Sequence, residues 1–72
     1  MTTIAIFTFD TTHHALWAED VAGELGVPVE TAPAPPEAKA KCGISLRASA
    51  AHAEQLVAAF LEEGIEFGRM EG

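Results

Sequence analysis

Two stretches of this chain carry apolar residues at helical spacing, and each ends at a glycine: residues 10–26 and 50–64. Each stands between short runs rich in β-branched or aromatic residues. That alternation of periods, two then 3.6, limits the chain to few folds. Residues 3–9, "TIAIFTF", read as a strand bounded by "DTT". Thr11 or Thr12 can then cap a helix that stops at Gly26, with Pro28 just beyond. At about 100° per residue, His14, Ala18, Val21 and Leu25 fall on one stripe, flanked by Trp17 and Ala22.

"VPVETAPAPP" begins as a second strand and decays into a Pro-rich turn. Proline donates nothing to a ladder, so Pro28 and Pro33 place this strand at a sheet edge. After the loop "PPEAKAK", residues 42–48 alternate. Cys42, Ile44 and Leu46 share one parity, and Gly43, Ser45 and Arg47 the other. Ser49 caps a second helix with Ala53, Leu56, Val57 and Phe60 as its buried stripe. "IEFGRM" follows as a last strand. Glu54, Glu62, Glu63 and Glu66 read as a solvated face.

The order is β-α-β-β-α-β. With right-handed crossovers, its compact solution is an α+β, ferredoxin-like domain over residues 1–72. Four antiparallel strands, in the order 4-1-3-2, carry both helices on one face. Phe7, Phe9, Phe67 and Met70 are candidates for the core or for the open face of the sheet.

With 72 residues and one cysteine, the chain has no internal disulfide to stabilise it. It must fold on an apolar core, and hydrophobic residues make up 49% of it. A net charge of −7 argues against nonspecific nucleic-acid or anionic-membrane binding, which needs clustered Lys and Arg. No signal-like segment opens the sequence, and no apolar run nears the ~20 residues of a membrane span. The expected location is a reducing cytoplasm, where a lone thiol stays free.

That thiol, Cys42, sits in "AKAKCGISLR" with three of the chain's four basic residues. In the expected fold the third strand starts beside the end of the first, which is where helix 1 begins. Cys42 is therefore expected near "DTTHH", about 30 residues upstream, pointing to the helix side. The positive helix end, Lys39 and Lys41 would favour a thiolate, with His14 inward as a proton partner and His13 toward solvent. Desolvation against Ile44 and Leu46 opposes this. Gly43 leaves one side of the sulfur open. By parity Arg47 looks out from the opposite face.

Other readings of the same residues stand beside this one. Cys42 is equally well a small apolar filler, His14 a packed residue, and Lys39 and Lys41 solubilising loop residues. A noncatalytic module that homodimerises through the open sheet face is one alternative. A metal carrier using His13, His14 and Cys42, with Asp10 as a fourth ligand, is another, though soft-metal sites generally use more than one thiolate. Hydrolytic Cys-His catalysis needs a cleft that so small a chain hardly offers. No metal or cofactor is expected.

Several segments together carry a family resemblance: "TTHHALWAEDVAGELGVPVETAPAP", then "CGISLR", a capped second helix and "GIEF". The chain resembles the small bacterial domains of unknown function described as selenium/sulfur carrier-like proteins. The resemblance spans almost the whole sequence. It implies a carrier, rather than a stand-alone enzyme, that relays sulfane sulfur or selenium between donor and acceptor proteins. On this resemblance Cys42 holds the atom as a persulfide or selenyl group. Gly43 stands beside it, and His13 or His14 and Arg47 match the family's histidine and arginine. Thr11, Thr12, Lys39 and Lys41 complete the expected surroundings. Where the family often has hydroxylated residues before the cysteine, this chain has "AKAK". The Cys-Pro-x-Pro motif of better-known sulfur carriers is absent.

Overall fold

The computed structural model describes residues 4–34 and 43–71. Strand β1 (Ile4–Thr8) leads into helix α1 (Thr12–Leu25) and strand β2 (Glu30–Pro33). Strand β3 (Ile44–Ser49), helix α2 (Ala50–Glu63) and strand β4 (Gly68–Glu71) follow. The sheet order is β2-β3-β1-β4, with every neighbouring pair antiparallel. This is the expected arrangement, read from the other edge.

Local chemistry explains the helix limits. Thr11, in extended backbone, is the N-cap of α1; its hydroxyl accepts from the His14 N–H at 3.2 Å. Ser49 does the same for α2, accepting from Ala51 N–H at 3.3 Å. Gly26 (φ 74°) and Gly64 (φ 81°) close the two helices in the left-handed region. Both donate back to carbonyls of the last turn, which a non-glycine residue does only with strain.

One face of the sheet carries the core. Ala5 and Phe7 of β1, then Phe9, pack with Leu46 and Ala48 of β3 beneath Ala15, Ala18, Ala53, Leu56 and Phe60 of the helices. Phe7 and Phe60 meet edge to face with ring centroids 5.4 Å apart, and Phe67 closes on both. Phe7, Phe9 and Phe67 thus serve the core, whereas Met70 pairs with Ile6 on the open side.

Three sequence expectations need correction. The buried stripe of α1 is Ala15, Ala18, Val21 and Ala22; Leu25 is 40% exposed and His14 half-buried. Alanines let the helix approach the sheet closely, so the stripe turns toward them and away from the longer Leu25. The outer strands are shorter than their apolar runs. Val27 and Ile65 are buried, but in the connections before β2 and β4. Val57 is only half-buried. Glu54 is solvated as expected, with its side chain 83% exposed, and its Oε1 also accepts from Arg69 Nη1 at 3.0 Å, tying α2 to β4.

Candidate functional site

Antiparallel pairing of β1 with β3 builds one end of the molecule. Thr8, the last residue of β1, is opposite Ser45, near the beginning of β3. The chain leaves β1 through Phe9 and Asp10 and enters α1 at Thr11, while Gly43 leads into β3 from the same end. Gly43 and the first turn of α1 therefore share a rim, although about 30 residues of sequence lie between them. The expected position of Cys42 at this rim, with Lys39 and Lys41, lies outside the described residues.

Gly43 forms an exposed bend whose carbonyl accepts from Ala34 N–H at 3.0 Å, extending the β2–β3 pairing by one link. Its φ is not in the left-handed region, and a Cβ built there meets nothing within 4 Å. Neither its conformation nor any described neighbour demands a glycine. What the missing side chain does provide is open space on a groove of about 500 Å³. Ala15, Leu16 and Glu19 of α1 form one wall; Thr31, Ala32, Pro33 and Ile44 form the other.

The histidines lie round the helix from this groove. His13 is exposed and His14 half-buried. With Trp17 they form an aromatic cluster, its ring centroids 5.9–6.2 Å apart. His14 Nδ1 is enclosed and has no hydrogen-bond partner. Thr11 is committed to capping, and Thr12 begins the helix. The first turn of α1 itself holds no carboxylate, and Asp10 stands just before its N-cap.

Arg47 is placed elsewhere. It stands on the open face, opposite Ile6 of β1 and Glu30 of β2, and its side chain has no ion-pair partner among the described residues. It lines another groove, of about 420 Å³, with Ile4, Val29, Ser49 and His52 at the far end of β3. The structure thus gathers Gly43, Thr11, Thr12 and the histidines at one end and leaves Arg47 on the other face. No group of three His, Cys, Asp or Glu side chains suited to a metal occurs among the described residues.

The wall residues from α1 and β2, Leu16 and Glu19 among them, were not expected at the site. The available signal was Leu16 itself: a leucine off the apolar stripe of an amphipathic helix. It is 54% exposed.

Residues 5–70 match the model of the family described as "Putative Se/S carrier protein-like", and the chain belongs to that family. No curated protein and no solved structure is a significant match to it. Among the described residues, no helix is long and apolar enough to cross a membrane.

Proposed function

We propose that this member of the selenium/sulfur carrier-like family holds sulfane sulfur or selenium on Cys42 and passes it between a donor and an acceptor protein in the cytoplasm. The observation that carries the reading is Gly43, the residue bonded to Cys42. It is an exposed glycine that neither backbone nor any described neighbour requires, it opens on a groove, and it shares a rim with the carboxylate-free first turn of α1.

The chemistry asks little of so small a protein. The Cys42 thiolate attacks the outer sulfur of a donor persulfide, R–S–SH. The donor's S–S bond breaks as the new one forms, and the donor leaves as the thiolate R–S⁻. The terminal S–H moves with the transferred sulfur. A second thiolate, on the acceptor, repeats the step in the other direction. Selenium follows the same course from R–S–SeH. Neither an oxidant nor a metal enters the balance. The protein's part is to keep the sulfur accessible on one side and to favour its anionic form. The positive end of α1, His13, His14, Lys39 and Lys41 are the groups assigned to that second task. Thr11 and Thr12 hold the helix end in place. Arg47 faces away from this rim and is assigned to partner contact.

Mass spectrometry after incubation with glutathione persulfide tests the reading. The chain gains about 32 Da, or about 79 Da with the selenium analogue, and Cys42→Ser gains neither. An adduct that persists in Cys42→Ser removes the cysteine from the role.

A further inference from the structure

The groove beside Gly43 does not end at Leu16. That side chain also belongs to a second concavity, lined by His13, Trp17 and Asp20. Leu16 is common to the two, with the Trp17 ring on one side of it and Pro33 and Ile44 on the other. Only three large apolar residues are well exposed among those described, and the other two, Leu25 and Leu61, line neither concavity. A leucine exposed between two concavities, with Trp17 beside it, offers a seat for one apolar side chain.

Charge selects the occupant. Glu19 stands at the first concavity and Asp20 at the second. Neither has an ion-pair partner among the described residues. The described basic residues are not available to them: Arg69 is paired with Glu54, and Arg47 lies on the open face of the sheet. Among the described residues the surface therefore carries two exposed carboxylates and no lysine or arginine, on a chain of net charge −7. A second copy of the chain would bring like charge against it, which disfavours self-association here.

We propose that this surface docks partner proteins through an apolar side chain seated on Leu16 and flanked by lysine or arginine. The inference rests on the carrier reading for the reason such partners are needed, but its physical basis is the surface alone.

The test is a ¹⁵N–¹H titration of the full chain with three peptides of equal length. One carries Leu-Phe between Lys-Arg pairs, one carries Leu-Phe between Glu pairs, and one carries Ser-Ser between Lys-Arg pairs. The first is expected to shift the amides of Ala15, Leu16, Glu19, Gly43 and Ile44, and the other two to leave them in place. Its dissociation constant should rise about tenfold in Leu16→Ser and in the Glu19→Lys/Asp20→Lys double variant. Raising salt from about 50 to about 500 mM should also weaken it. All these side chains are exposed, and the spectra themselves report that the variants stay folded. Equal binding of the three peptides, shifts spread over the acidic end of α2, or no shift at millimolar peptide would each overturn the proposal. The same titration on Cys42→Ser separates the two ideas. Docking should survive there unchanged, so failed sulfur loading beside intact docking sinks only the carrier reading.

Discussion

Thr8 and Gly68 face each other across β1 and β4 so closely that a Cβ on residue 68 would lie 2.8 Å from Thr8 Oγ1. Glycine is here a packing requirement, imposed by a buried neighbour that is 7% exposed. Gly68→Ala should cost about 1–3 kcal/mol in urea unfolding, as overpacked sites do. The Thr8→Ala/Gly68→Ala double variant should recover most of that loss, because the clashing oxygen is gone. A double variant no better than Gly68→Ala would place the cost elsewhere.

The helix glycines should divide by conformation. Gly23 lies within α1 with nothing within 4 Å of a built Cβ, so Gly23→Ala should stabilise by about 0.5–1 kcal/mol. Gly26 and Gly64 have positive φ, so alanine at either should destabilise by about 1–2 kcal/mol. Opposite shifts in the urea midpoint check both statements.

Phe60 and Leu61 are chain neighbours with opposite fates. Phe60 is fully buried and touches Phe7, Phe9 and Phe67, whereas Leu61 is 66% exposed. Phe60→Ala should cost about 3–5 kcal/mol, enough to unfold much of so small a protein at room temperature. Leu61→Ala should stay within about 0.5 kcal/mol of the parent. Circular dichroism against temperature separates them.

Gly43 allows fold and function to be tested apart. Gly43→Val enters open space at a permitted φ, so the thermal midpoint should move by only about 2 °C. If the open side of Gly43 is the path to the Cys42 sulfur, the same variant should slow persulfide loading about tenfold. Unchanged loading would remove Gly43 from the proposed role.

Much of this architecture was legible because single residues encode it. Gly26 and Gly64 stop their helices, Ser49 caps one, and Pro33 sits on an edge strand, each where its chemistry predicts. The rotation of α1 was not legible. In a helix whose buried residues are mostly alanines, sequence contrast is weak, and closeness of approach to the sheet decides which face goes in. The Arg69–Glu54 pair was hidden too, since only the packing of β4 beside α2 brings together residues 15 apart. At the candidate site, topology correctly set the start of β3 beside the end of β1, where Thr8 pairs with Ser45. The groove's helix wall was missed because it depends on that same rotation, which brings Leu16 and Glu19, rather than His14, to face Gly43.

The end of β2 sets how any partner can hold on. Ala34 donates inward to Gly43, so by alternation the Pro33 nitrogen faces the free edge, where it has no hydrogen to give. The border of the groove is thus a poor template for strand addition, the mode in which a visiting peptide zips onto a sheet through its main chain. A visitor must hold on by side chains, and such contacts can be made and released quickly. That suits a protein whose proposed work consists of meeting two partners in turn and staying with neither.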